Sequence, residues 1–245
     1  MRLHRRIAKL FGYELLKSER HQPNLESHLS VVLKKFNINV VFDVGANVGQ
    51  YALFLRKLGY RGRIISFEPV SSTFAILQNE SLTDALWTAF NIGLGSESRE
   101  MKINVFQSSV MASFLNANEF GSRTYGNNME VESYETISVK TLDSFIQENK
   151  GLINKEDRVL LKMDTQGFDV EVFQGASESL RQIEILQSEI PLKPIYEGMA
   201  NYHEILKEYE NHHYELSGIY PVSRDPNSYG LIEVDCVLIK NHQER

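Results

Sequence analysis

The chain has 245 residues, 42% of them hydrophobic and 24% charged, with a formal net charge of −6. That suits one large α/β domain, or a domain with an appendage, and the acidic balance offers no general nucleic-acid surface. The single cysteine, Cys236, excludes an internal disulfide; no Cys/His cluster suggests a metal site, and no stretch has transmembrane or signal-peptide character, so a soluble cytoplasmic protein is expected.

Residues 1–20 carry Arg2, Arg5, Arg6, Lys9, Lys17 and Arg20 against Glu14 and Glu19, with Leu3, Ile7, Leu10, Phe11 and Leu15 at helical spacing. This pattern predicts a basic amphipathic helix that docks on the rest of the protein, or meets an anionic membrane or a partner protein. Residues 21–24 read as a hinge before a helix over Leu25 to Phe36. The expected division is an N-terminal helical extension, 1–36, and one domain, 37–245.

Asn39 to Phe42 is an apolar, β-rich run that reads as a buried parallel strand. The turn Asp43-Val44-Gly45-Ala46-Asn47-Val48-Gly49-Gln50 follows, then a helical face of Tyr51, Leu53, Phe54, Leu55 and Leu58 ending at Gly59. A second strand, Arg63 to Phe67, ends in Glu68-Pro69. Strand, glycine turn, helix and strand with a terminal acid form the arrangement by which α/β sheets bind adenosine-containing cofactors.

The glycines and charges distinguish the cofactors. A dinucleotide site wants three glycines, so that a pyrophosphate can lie on bare backbone, yet here Ala46 and Asn47 lie between Gly45 and Gly49. Asp43 repels a pyrophosphate but suits the ammonium and sulfonium of S-adenosylmethionine, whose carboxylate a helix N-terminus can hold. Glu68 can accept from both ribose hydroxyls. S-adenosylmethionine is the expected cofactor, with NAD the alternative. A third strand, Trp87 to Asn91, leads into Asn91-Ile92-Gly93-Leu94-Gly95, where Asn91 either reads the adenine edge or starts a turn.

A helix is expected over Ser71 to Asn79 and a half-buried strand over Arg99 to Phe106, answered by one over Glu130 to Val139. Between them Gln107 to Asn128, rich in Ser, Asn and Gly, reads as a long loop of the kind used as a lid, with Ser108, Ser109 and Ser113 as ligand donors or turn caps. Thr141 opens a short helix. Val159 to Met163 is a buried strand with Asp164 at its end, and alternation puts Lys162 and Asp164 on one face. Asp169 and Glu171 suit the first turn of the next helix. Ile183 to Ile190 is another strand, ending in Glu189; beside the Asp164 strand, its acid would converge with Asp164 to orient a hydroxyl, hold a cation or cap loops. A helix over Tyr202 to Glu210 and an antiparallel pair, Tyr214 to Tyr220 with Glu233 to Lys240, complete the pattern.

The segments DVGANVGQY (43–51), FEP (67–69), NIGLG (91–95), KTLDSF (140–145), LKMDTQGFDVEVFQGA (161–176) and SEIPLKPIYEG (188–198) resemble, in order, the FkbM family of S-adenosylmethionine-dependent methyltransferases. The resemblance implies a Rossmann-like class I methyltransferase fold: a mostly parallel seven-stranded sheet with an antiparallel last strand and helices on both faces. It implies O-methylation of a hydroxyl on a sugar, glycan or natural-product acceptor, and cofactor contacts at Asp43, Gly45, Asn47, Gly49, Glu68 and Asn91. Gln50, Tyr51, Pro69 and Asp164 complete the candidate cofactor-binding set. The family commonly has Glu where this chain has Gln166.

The expected chemistry is in-line transfer of the sulfonium methyl to a substrate oxygen. Asp164 and Glu189 are candidate bases, with His203 a weaker third and Lys162 a further catalytic candidate beside them. No metal is assigned, although Asp164 and Glu189 could bridge one. Tyr125, Tyr196, Tyr202 and Tyr220 either line an acceptor site or pack. A module that binds the cofactor without turnover is the alternative to an enzyme.

Overall fold

In the computed structural model the described residues are Phe11 and 24–242, so the basic N-terminal helix expected over residues 1–20 lies outside them apart from Phe11. A seven-stranded sheet forms from β1 (Val40–Val44), β2 (Arg63–Phe67), β3 (Trp87–Phe90), β7 (Val159–Met163), β8 (Ile183–Pro191), β9 (Tyr214–Arg224) and β10 (Leu231–Lys240). Its order is β3-β2-β1-β7-β8-β10-β9. The first five are parallel, and β10 runs antiparallel between β8 and β9. A smaller sheet, β4-β6-β5, stands beside it, formed by β4 (Gly93–Leu94), β5 (Arg99–Phe106) and β6 (Val131–Lys140).

Both faces of the main sheet are apolar because helices cover both. One face packs Val41, Ile64, Leu160, Ile185 and Val237 against α1 (Leu25–Lys35), α2 (Gln50–Lys57) and α3 (Ser71–Ser81). On α1, Leu29, Val32 and Leu33 fall at i, i+3 and i+4, and each buried side chain contributes about 1.5–3 kcal/mol. Asn24 caps this helix by accepting from Ser27 N at 2.9 Å. The other face packs Phe42, Val44, Leu161, Met163 and Leu186 against α5 (Leu142–Glu148), α6 (Asp169–Gln174) and α7 (Tyr202–Asn211), the last opened by an Asn201/Glu204 capping box.

The segment expected as a plain loop, Gln107 to Asn128, holds a helix, α4 (Glu119–Tyr125), flanked by 3-10 turns at Ser109–Met111 and Gly126–Met129. Asn118 caps α4 from Gly121 N at 2.8 Å and donates to Pro194 O at 2.9 Å. Isolated bridges tie the segment to β5 through Asn104–Ser113 and to the loop after β8 through Ala117–Tyr196. In α4 only Gly121 is buried, so the helix carries no apolar stripe by which periodicity could reveal it. β8 runs one residue past the strand expected over Ile183 to Ile190, so that Pro191 faces Glu233 across the antiparallel ladder. No helix among the described residues is long and apolar enough to cross a membrane.

Candidate active site

The strand order reverses between β1 and β7, and beyond their carboxyl ends lies a cavity of about 300 Å³, where open α/β sheets bind ligands. One end is formed by the β1–α2 turn and the end of β2. Gly45 has φ +73, and a Cβ there would sit 1.9 Å from the Asp164 carbonyl oxygen, so only glycine lets these two strand ends meet. The turn satisfies its own amides. Gly45 N and Ala46 N donate to Phe67 O, Asn47 N to Glu68 Oε2, Val48 N to the Asn47 side chain and Gly49 N to Ala46 O.

Glu68 is 5% exposed and its second oxygen accepts from Val70 N at 2.9 Å. Burial pushes its carboxyl up to about 7, against the pull of those two backbone bonds. Gly45, Asn47, Gln50, Glu68 and Pro69 line this end, walled by Phe67, Ile92, Leu94, Ile103, Val110, Met111 and Phe114. Asn47 Nδ2 reaches Ser109 Oγ at 3.4 Å, so the turn touches the covering segment.

Four residues expected at the cofactor do not line the cavity. Asp43 lies inside β1 and is fully buried, pointing to the α1/α2 face, where Lys162 Nζ is 3.1 Å from its Oδ1 and Ser66 Oγ donates to its Oδ2 at 3.2 Å. Gly49, with φ +94, packs under Trp87. Tyr51 sits below the turn and donates to Gln187 Oε1 at 2.6 Å. Asn91 is exposed and uses its amide to hold Glu68 O and Pro69 O, both at 2.9 Å.

Lys162, expected as catalytic, lies beneath the floor of the cavity. It bridges Asp43, Asp164 at 3.3 Å and the Gly45 carbonyl at 3.1 Å. Burial alone would lower the pKa of its ammonium, but Asp164 and Asp43 more than reverse this, so the group stays charged. Trp87 Nε1 donates to Ser66 Oγ at 2.9 Å, and Gln187 Nε2 to Asp235 at 3.2 Å. A polar layer thus crosses this face of the sheet just under the site.

Asp164 comes one residue past β7, so its carboxylate reaches the cavity while Lys162 holds one oxygen from below. The left-handed Gln166, φ +52, has its Nε2 3.4 Å from Asp164 Oδ1 and its Oε1 2.9 Å from the Tyr196 hydroxyl. Ser113 of the covering segment donates to Gln166 O at 2.8 Å. Asp169 has no part in the cavity: it accepts from Thr165 N, Thr165 Oγ1 and Ser188 Oγ, pinning the turn into α6.

Glu189 faces the far end of the cavity together with Tyr125, Val222, Ser223 and Glu233. Burial, then Asp164, Glu233, Asp235 and Asp169, hold the Glu189 carboxyl well above the usual range. Ser223 Oγ donates to Glu233 Oε2 at 2.7 Å, and the Tyr125 hydroxyl stands 3.1 Å from Ser223 Oγ and 3.2 Å from that same oxygen. His203 is exposed on α7 and stacks beside Tyr202, and Tyr220 bonds His28, so none of these lines the cavity. Among the described residues no group of three His, Cys, Asp or Glu side chains is arranged to hold a metal ion.

Residues 43–216, which carry the turn, both acids and the covering segment, match the family model for the methyltransferase FkbM domain. The chain belongs to the FkbM methyltransferase family. "Methyltransferase 1" of Beauveria bassiana (strain ARSEF 2860) is 26% identical to it over 148 residues, which are 56% of this chain and 58% of that protein. "Methyltransferase sdnD" of Sordaria araneosa is 25% identical over 164 residues, 56% of this chain and 60% of that one. The chain thus spans only about three fifths of the length of these curated relatives. A solved FkbM methyltransferase from Methylobacillus flagellatus KT is 15% identical, with a TM-score of 0.47, over 82% of this chain and 44% of that one.

The FkbM sheet, with β10 antiparallel between β8 and β9, is the Rossmann-like class I methyltransferase architecture implied by the motifs. Ser223 and Glu233 of this FkbM chain were not anticipated from sequence. The available signal for Glu233 was an acid inside the apolar run Leu231–Lys240; Ser223 carried none.

Proposed function

We propose that this protein is an S-adenosylmethionine-dependent O-methyltransferase that modifies a hydroxyl on a small-molecule, sugar or glycan acceptor. The observation that carries the reading is the cavity at the β1/β7 switch, with Glu68 at one end and Asp164 and Glu189 at the other. The residues present fit the cofactor. Glu68 keeps lone pairs free for ribose hydroxyls after its two backbone bonds, and Pro69, Ile92 and Val110 provide an apolar slot. The amides from Gly45 to Gly49 all donate within the protein, so they offer no cradle for a pyrophosphate, nor for the cofactor carboxylate expected at this turn.

When bound, S-adenosylmethionine supplies a methyl group already activated on a sulfonium. The protein's own part is to position an acceptor oxygen, exclude water and remove a proton. The segment 107–129 covers the cavity through Val110, Met111 and Phe114. Asp164 is the group placed to take the acceptor's proton, with Lys162 fixing one oxygen and Gln166 the other. Lys162 and Asp43 act as positioning residues. The cytoplasm is the proposed location, with the basic segment 1–20 as a contact for an anionic membrane or a partner protein.

Calorimetric titration of the purified protein tests the reading: saturable micromolar binding of S-adenosylmethionine without binding of NAD is expected. NAD binding alone would overturn it, while cofactor binding without transfer to any acceptor in an extract would favour a binding module. Glu68 gives this titration a pH signature. With a carboxyl titrating at about 7, the ionised acceptor form grows roughly tenfold between pH 6 and pH 8, and affinity is expected to rise in proportion. Glu68→Gln should weaken binding by about 30-fold or more and flatten that dependence.

A further inference from the structure

We propose that the acceptor carries a protonated amine beside its reacting hydroxyl, and that Glu189 and Glu233 receive that charge. The inference rests on the reading of this cavity as a methyl-transfer site. Its first support is the charge inventory of the lining: Glu68, Asp164, Glu189 and Glu233 contribute carboxyl groups, and no Lys, Arg or His lines the cavity among the described residues.

The four acids are not equivalent. Glu68 is engaged by the amides of Asn47 and Val70, and Asp164 shares Lys162 with Asp43. Glu233 takes neutral hydroxyl donors from Ser223 and Tyr125. The Glu189 side chain, half-buried at the cavity wall, has no hydrogen bond or ion pair with another side chain among the described residues. An acid retained in a cavity wall without a partner is a cost to the fold. Glu189 caps no helix and closes no turn, so no structural role offsets that cost.

Charge complementarity then selects among acceptors. A phosphorylated or carboxylated acceptor would set like charges against Glu189 and Glu233, at a cost of several kcal/mol. A neutral polyol would satisfy hydrogen bonds and leave the acids unneutralised. An ammonium satisfies both needs, offering three donors and a positive charge. The groups around Glu189 are Asp164, Asp169, Glu233 and Asp235, with Tyr125 and Tyr196 nearby and Lys162 on the far side of Asp164. In that setting burial and the neighbouring carboxylates hold the Glu189 carboxyl above the usual range, and an entering cation pulls it back down.

Two matched sets of probes test this by calorimetry, with and without S-adenosylhomocysteine: glucosamine, glucose and glucose 6-phosphate, and 2-amino-1,3-propanediol, glycerol and glycerol 3-phosphate. The amine of each set is expected to bind about tenfold or more tightly than its neutral partner, with no binding of the phosphates. Titration in Hepes and in Pipes should show net proton release on amine binding. Glu189→Gln and Glu233→Gln should each erase the amine preference while keeping S-adenosylhomocysteine affinity. Equal binding of amine and neutral members, binding of a phosphate, binding of no member, or a preference that survives both substitutions would overturn the proposal. Failure of S-adenosylhomocysteine to bind, with the amine preference intact, would instead overturn the methyltransferase reading.

Discussion

Asp164→Asn is expected to slow methyl transfer by about 10²–10⁴-fold while leaving S-adenosylmethionine affinity within about threefold. The amide keeps the shape of the side chain and its contact with Gln166, but it cannot accept the acceptor's proton. Lys162 retains Asp43 and the Gly45 carbonyl, so the floor of the site stays intact. Single-turnover assays with labelled methyl, paired with calorimetry, separate the two effects. If turnover survives in Asp164→Asn and is lost in Glu189→Gln, the base is Glu189.

Lys162→Met is expected to cost about 3–5 kcal/mol of stability, because it strands the fully buried Asp43 carboxylate without its cation. For a domain of this size that corresponds to a fall of roughly 10 °C in Tm. The double variant Asp43→Asn/Lys162→Met removes both charges, and the amide at position 43 can still pair with Ser66 Oγ. It should recover most of the loss, to within about 2 kcal/mol of the parent, in urea and thermal unfolding. A double variant as unstable as the single one would show that packing around the lysine stem, rather than charge pairing, dominates.

Strands were the most legible part of this fold. Arg63–Phe67 and Val159–Met163 have the bounds that their apolar runs predict, and Arg99–Phe106 those of its alternation, because strands covered on both faces write their limits as hydrophobicity and half-buried ones as a period of two. The glycine turn and the acid after β2 were legible for a similar reason: backbone contact at Gly45 tolerates no side chain. The depth of each acid was harder. Asp43 and Asp164 look alike as acids near strand ends, yet Asp43 is within β1 and Asp164 one residue beyond β7. Asp43 is in register with Lys162, and Asp164 lies two positions further along that same face, past the end of β7; depth along the sheet, not the alternation, puts one in the polar layer and the other at the cavity.

Asp164 and Glu189 share a cavity as their strand ends suggested, but contacts between elements that the pattern does not pair were not legible. Tyr125, Ser223 and Glu233 come from α4, β9 and β10, and only the sheet order brings them together. Asn91 illustrates the opposite case. Both its readings were open in sequence, and in the structure its amide bonds the carbonyls of Glu68 and Pro69.

The placement of β10 has a consequence for synthesis. In the main sheet β9 pairs only with β10, yet it leaves the ribosome first. A nascent chain that has emerged only as far as Arg224 therefore presents the bare, largely apolar edge of β8, with a strand beside it that has nothing to bond to. Both the closing of that edge and the arrival of Glu233 at the cavity wait for the same ten residues, Leu231–Lys240. Completion of the sheet and completion of the Glu189/Glu233 end of the cavity are thus one event, and a chain that stops before β10 has neither.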